Sequence, residues 1–575
     1  MAEISSAEPR PAYHTALTDT DEKKADFEHV DQTGAAQANG LSEAQRNLAL
    51  AAEAEKAKSL GTFTAIKYYW VAFLWSQFAS FGMILVGYDG TVTGSVLSIP
   101  EFRATLGSEI DGGYVISAAW QVGFNVGGLV ASILTSLFYP YIGDRFGRRG
   151  CLLFASILSI AAIFIEFFVV PHQQVMWFFG KFVNGIATSI FASTSSSYAI
   201  EVSPLQLRGV TTGAVNLYIA VGQFISSLVI KATGSITGKA AYQYPIGTQW
   251  VFSVFILIFL PFCPESPWVL VRQGKTDQAQ NSLRRLFGRT GDDLDMHLSV
   301  IQDTLEFEAR LHENSAWSDM FKGTDRRRTL IIMLIYLCQQ VTGVQFVLGY
   351  STYFFELAGF ANSQAFSLNV GTLSLAIASN LAGIFLTNTA GRRNVFLASV
   401  YACTIDCLLI GVCSLVKNTT ALWAMASFTM LYMATFQFGL YITCPIGSRR
   451  FADISYSGPL TYTYTAEIGS ARLRSRVIAW GNICNQFFSL IIQIINPYMI
   501  NPDEANLQGK VGWLFGGMSI PAAIAAWYYI PESGHRTTDE LDLMFKKKIP
   551  ARKFKKYEIT YEDRLEMEQA ADSHA

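Results

Sequence analysis

Charge is what this sequence lacks most. Only 15% of its 575 residues are Asp, Glu, Lys or Arg, while 51% are hydrophobic; ordinary soluble proteins carry about 25% charged residues. That shortage points to a lipid surround. The charge that remains is balanced, 43 basic against 45 acidic residues for a formal net charge of −2. No basic face is left for a nucleic-acid partner. Cysteine is scarce too: there are eight, and Cys151, Cys338, Cys403, Cys407, Cys413 and Cys484 fall inside apolar runs without metal-ligand spacing. They are read as packing residues, and no metal or other cofactor is expected. No nucleotide-binding loop is present, so any work done must draw on a gradient. No cleavable signal peptide is expected, because residues 1–65 are polar and rich in Ala, Glu, Asp and Lys, as in a disordered tail. The first apolar helix would then serve as its own insertion signal.

What the sequence has in quantity is long apolar runs. A spanning helix needs about 20 mostly apolar residues. Twelve runs qualify, at 70–98, 113–138, 149–170, 175–199, 209–231 and 247–263, then 329–356, 366–388, 395–415, 421–465, 476–500 and 511–530. A charged stretch separates the two sets. The expected organisation is a tail (1–65), a six-helix bundle (66–265), a linker with surface helices (266–326), a second bundle (327–532) and a second tail (533–575). Arg145, Arg148, Arg149, Arg208, Arg392, Arg393, Arg472, Arg474 and Arg476 share one side with the linker and both tails; Arg103, Lys231, Lys239, Lys417 and Lys510 lie opposite. By the positive-inside rule both ends are cytoplasmic. Asn418-Thr419-Thr420 then fits a glycosylation acceptor on the outer side.

Three motifs occur twice in the same order. They are a Gly-Arg-Arg turn (Gly147-Arg148-Arg149, Gly391-Arg392-Arg393), an acid seven residues before an Arg (Glu201 and Arg208, Glu467 and Arg474), and Pro-Glu-Ser (Pro264-Glu265-Ser266, Pro531-Glu532-Ser533). Such internal duplication is expected of transporters. From second to third motif the spacings agree, 64 residues against 65; from first to second they are 54 and 76. The surplus falls where the tenth run is interrupted by Arg449, Arg450 and Asp453. Residues 439–457 are therefore read as an insert, either native or a retained intron.

Chemistry-bearing residues stand out against the apolar background. Asp89, in Gly87-Tyr88-Asp89-Gly90, puts a carboxylate inside the first run, and Lys181 is the only Lys or Arg of the fourth. A membrane-embedded acid is costly unless neutralised or used, so Asp89 is a candidate for proton binding; the competing reading is that it caps a helix break. Glu166 is read as interfacial, near the end of its helix, and Asp406 is left without a role. Gln339, Gln340 and Gln345 cluster around Thr342-Gly343, which loosens the seventh run. Amides match the paired donors and acceptors of sugar hydroxyls. The basic turns, Asp144 included, are placed to pair with Glu201 and Glu467 and with helix carbonyl ends; alone, they could be topology signals.

These motifs, over residues of about 70–560, resemble the sugar porter family of the major facilitator superfamily. Tyr464-Thr465-Ala466-Glu467-Ile468, Arg472-Leu473-Arg474-Ser475 and Ala551-Arg552-Lys553-Phe554 are most similar to fungal permeases for maltose and other α-glucosides. The resemblance implies an all-α membrane protein of 12 helices, six plus six, with no enzymatic activity. It implies proton-coupled uptake of a disaccharide at the plasma membrane by a monomer; the alternatives are a hexose carrier, passive or proton-coupled, and a non-transporting sugar sensor. In the family, pairs formed by residues matching Asp144, Arg148, Arg149, Glu201, Arg208, Arg392, Arg393, Glu467 and Arg474 clamp the halves in the outward-facing state. Proton-coupled members pair an Asp of the first helix with an Arg of the fourth, where this chain has Lys181. The family's Gln-Gln-x-x-Gly-x-Asn run implies sugar contacts for Gln339, Gln340 and Gln345, and matching adds Asn216, Tyr462 and Asn485. Tyr462 stands where hexose carriers often have Trp.

Overall fold

The computed structural model describes residues 62–110, 113–234, 236–288, 292–313, 317–390, 392–416, 418–438, 468–469, 473–502, 504–532 and 538–557. Its first half comprises α1 (Thr62–Tyr68), α2 (Trp70–Ser80), α3 (Gly82–Ser95), α4 (Pro100–Leu106), strands β1 (Ser108–Ile110) and β2 (Gly113–Val115), then α5 (Ala118–Phe167), α6 (Gln174–Val202), α7 (Leu205–Thr233) and α8 (Ala240–Phe259). The linker folds as α9 (Pro267–Arg272), α10 (Thr276–Phe287) and α11 (Asp292–Glu313). The second half comprises α12 (Gly323–Val341), α13 (Val344–Leu357), α14 (Asn362–Ala390), α15 (Arg392–Cys413), α16 (Thr419–Phe438), α17 (Arg474–Ile500) and α18 (Val511–Tyr529), followed by α19 (Thr538–Lys546) in the tail.

Nine helical stretches among the described residues are long and apolar enough to cross a membrane. One of them, α5, holds both the second and third predicted spans: two helices meet at Gly147, whose φ of 77° and ψ of 173° lie outside helical geometry. A side chain there would be strained, and its Cβ would also strike the Glu265 carboxylate. With α14 and α16 in the eighth and tenth places, the architecture is the twelve-helix bundle.

Several boundaries differ from expectation for local reasons. The second span starts at Ala118, because Gly113–Val115 pairs with Ser108–Ile110 as an antiparallel ribbon that an all-helical reading omits. The sixth starts at Ala240 and carries Pro245 inside it, where the polar residues Gln243 and Tyr244 hide its beginning from a hydropathy reading. The seventh is two helices, broken where Gly343 takes a φ of 92°. The tenth is described only to Phe438; the rest of its predicted run, with residues 439–457, lies outside the described residues.

Packing reflects the duplication. The halves meet where α3 packs on α13, α5 on α17 and α7 on α14. These are first on seventh, second on eleventh and fifth on eighth spans, and the last two pairs exchange when one half is mapped on the other. On the side away from the Gly-Arg-Arg turns, polar contacts join the halves. Arg103 pairs with Glu356 at 2.6 Å, Gln121 donates to Asn501 at 2.7 Å, and Asn125 donates to the Tyr350 hydroxyl at 2.9 Å. On the other side the linker helices enclose their own small core of Leu270, Ala279, Leu283, Leu294, Leu298 and Ile301. There α19 docks through Asp542, which pairs with Arg328, and through Phe545, whose ring centre lies 4.5 Å from the same guanidinium.

Candidate functional site

Two groups of polar side chains inside the bundle stand out. The first is charged. Lys181, on α6, donates to Asp89 Oδ1 of α3 at 2.7 Å, with side-chain exposures of 3% and 16%. Its ammonium also lies 3.1 Å from Glu166 Oε2 of α5 and 5.2 Å from the centre of the Trp177 ring. Glu166 is wholly buried, not interfacial. Hydropathy sets how deep a residue lies, not which way its helix face turns, and this face turns toward Gly180, where a Cβ would come within 2.6 Å of Glu166 Cγ. Asp406 is buried in α15 beside Thr435.

The second group is neutral and belongs to the second half. Gln345 donates to Gln340 Oε1 at 3.2 Å, and Gln340 donates to Asn485 Oδ1 of α17 at 2.7 Å. Gln493 extends the chain, donating to Gln345 Oε1 at 3.4 Å and to Ser489 Oγ at 3.2 Å. Sequence reasoning missed Gln493, although Asn485, Ser489 and Gln493 follow at four-residue steps and so share one helix face. The break at Gly343 places Gln340 before and Gln345 after the interruption, which lets both amides enter one ladder. Gln339 leaves its side-chain amide oxygen buried without a hydrogen-bond partner, while its backbone carbonyl accepts from the Thr342 hydroxyl at 2.9 Å. Asn216 lies half-buried on α7, and Tyr462 is outside the described residues.

In the first half the duplicated motifs gather at the Gly147 break inside α5 and at the ends of α6 and α8. Arg148 grips Glu201 with two nitrogens, at 2.6 and 3.2 Å, and lies 3.8 Å from Asp144. Asp144 also pairs with Arg272 of the linker at 3.0 Å. Glu265 accepts the backbone N–H groups of Arg148 at 2.8 Å and Arg149 at 3.1 Å, capping the helix that begins after Gly147, while the Arg149 side chain donates to the Pro261 carbonyl. Burial pushes the Glu265 carboxyl above the ordinary carboxylate range, against the pull of the backbone N–H groups of Ser266, Arg148 and Arg149. The second half repeats the pattern: Glu532 accepts the Arg393 N–H at 3.2 Å, and the Arg393 side chain donates to the carbonyls of Ile530 and Trp527 at 2.8 Å each. None of these contacts joins one half to the other; the Asp144–Arg272 pair ties the first half to the linker. Glu467 and the side chains of Arg208, Arg392 and Arg474 lie outside the described residues. At Asn418, the side-chain oxygen accepts the Ala421 N–H at 2.6 Å and so caps the start of α16.

Comparison with known proteins agrees with this anatomy. The family model for sugar (and other) transporters matches residues 75–545. A general alpha-glucoside permease of Saccharomyces cerevisiae is 29% identical over 507 residues, covering 86% of this chain and 79% of that protein. Maltose permease MAL31 of the same species is 29% identical over 532 residues, covering 90% and 82%. Among solved structures, the partially occluded inward-open xylose transporter XylE from E. coli superposes with a TM-score of 0.65 at 18% identity, over 82% of this chain and all of that one. The proton:xylose symporter XylE bound to 6-bromo-6-deoxy-D-glucose, a major facilitator superfamily protein, superposes at 0.62 with 19% identity, covering 84% of this chain and all of that one.

Proposed function

Since the chain belongs to the sugar (and other) transporter family, we propose that it carries a maltose-like α-glucoside into the cell together with protons, by alternating access, at the plasma membrane with both termini cytoplasmic. It moves its substrate without covalent chemistry. The named relatives support the choice of sugar, and the buried Asp89–Lys181 pair is the observation that carries proton coupling. A carboxylate 16% exposed and bonded to a buried ammonium at 2.7 Å is reachable by water and has a cation that a proton can replace. The amide ladder of Gln340, Gln345, Asn485 and Gln493, with Gln339, Asn216 and Tyr462, is assigned to the sugar hydroxyls. Arg148, Arg149, Glu201 and Asp144, with Arg208, Arg392, Arg393, Glu467 and Arg474, are assigned to the inner gate. Residues 66–265 and 327–532 are the two moving bodies, and one chain suffices for transport.

The test is labelled-maltose uptake into vesicles holding the purified chain, with acid imposed outside. Accumulation above equilibrium that a protonophore abolishes is expected, and Asp89→Asn is expected to lower uphill uptake at least tenfold more than it lowers sugar exchange. Protonophore-insensitive equilibration would overturn proton coupling; saturable binding without flux would overturn transport.

A further inference from the structure

Lys181 has two carboxylates and not one. It donates to Asp89 at 2.7 Å and lies 3.1 Å from Glu166 Oε2, off line for a hydrogen bond. Glu166 is fully buried, and its Oε1 has no hydrogen-bond partner. The place is built for it, since Gly180 supplies the room that any side chain would fill. Lys181 attracts Glu166 and Asp89 repels it; these are the charged groups that act on it among the described residues. From α6 the Trp177 ring faces the same ammonium.

We propose that Glu166 is the counter-carboxylate that takes over Lys181 whenever Asp89 carries the transported proton. The inference rests on the proton-coupled reading above. A buried ammonium whose only partner became neutral would be stranded, at a cost of several kcal/mol. With Glu166 in place the loaded state, protonated Asp89 with ionised Lys181 and Glu166, remains neutral overall. Protons and charge balance at each step. A proton from outside water binds Asp89, and the hydrogen bond from Lys181 to Asp89 breaks. The ammonium turns to a Glu166 oxygen. When the inner side opens, the proton leaves Asp89 for cytoplasmic water, and Lys181 returns. A compact ammonium with three donors can turn between two acids, whereas the planar fork of an Arg would be committed to one geometry.

Glu166 competes with Asp89 for the ammonium. Removing its charge therefore tightens Lys181 on Asp89 and makes the proton a weaker competitor. In Glu166→Gln the pH of half-maximal uphill uptake is expected to fall by about one unit, and Glu166→Asp, with its carboxylate drawn back by one methylene, should show the same shift to a smaller degree. An unchanged pH profile in both variants, while Asp89→Asn still abolishes uphill uptake, would overturn the role of Glu166 and leave coupling intact. If Asp89→Asn spares uphill uptake, the coupling reading itself fails. Should Glu166→Gln not reach the membrane folded, the aspartate variant alone decides, because a purely structural role would lower the amount of protein without moving its pH midpoint.

Discussion

The two halves descend from one plan and bury different chemistry. In the first, ionisable side chains from three spans converge, Asp89, Glu166 and Lys181; in the second, amides do, Gln340, Gln345, Asn485 and Gln493. The motifs the halves share are at their ends, where Glu265 and Glu532 each accept a backbone N–H from the Gly-Arg-Arg turn. The capped Gly-Arg-Arg turn is thus common to both halves, and the interiors differ. Charge responds to pH and amides do not, so under the proposed function the first half senses protons and the second sorts hydroxyls.

The sharpest way to break this division is at Lys181. Replacing it by Met leaves Asp89 and a fully buried Glu166 without their cation, and removing one partner of a buried pair costs about 3–5 kcal/mol. The expected outcome is a large fall in folded protein and in thermal midpoint, measured by size-exclusion fluorescence over a temperature series. Adding Asp89→Asn and Glu166→Gln to Lys181→Met should recover most of that loss. A Lys181→Met protein as stable as the parent would show that the first half does not depend on its charges.

The amide side predicts a smaller and different effect. Gln340 both donates to Asn485 and accepts from Gln345, so Gln340→Ala cuts the ladder on both sides of the Gly343 break. A loss of about tenfold in maltose affinity is expected, equivalent to roughly 1.4 kcal/mol, with the pH of half-maximal uptake unmoved. Displacement of labelled maltose at two pH values measures both quantities. A shift in the pH midpoint would mean that the two interiors do not divide the work.

How much of this could be read beforehand follows the same line. Repetition exposed the Gly-Arg-Arg and Pro-Glu-Ser motifs, because two occurrences in matching order are hard to produce by chance. Asp89 and Lys181 were visible because charge inside an apolar run is conspicuous whatever the fold. Glu166 was misplaced because its depth is legible and its rotation is not; rotation depends on Gly180 of another helix. Gln493 went unread although its four-residue steps from Asn485 were in view, since an isolated amide carries no signal until a partner is known. Arg103 served only as a topology marker, and its pairing with Glu356 across 253 positions of sequence required the folded halves.

The smallest expected effect lies in the shared turn, at Glu265. Burial holds its carboxyl above the ordinary range in spite of the N–H groups of Ser266, Arg148 and Arg149. A raised folded value means that the folded protein binds the proton more tightly than the unfolded chain does. The stability this contributes is full in acid and is lost as pH rises through the folded value. Glu265→Gln keeps an acceptor for the helix N-terminus and removes the buried charge, so at neutral pH its cost should stay within about 1 kcal/mol, whereas Glu265→Ala also loses the cap and should cost about 1 kcal/mol more. On acidification the parent gains stability relative to Glu265→Gln, and the gap between them moves in the parent's favour. Thermal midpoints of the three proteins across neutral to acid pH test the sign; a gap that moves the other way would mean that the hydrogen bonds outweigh burial at this turn.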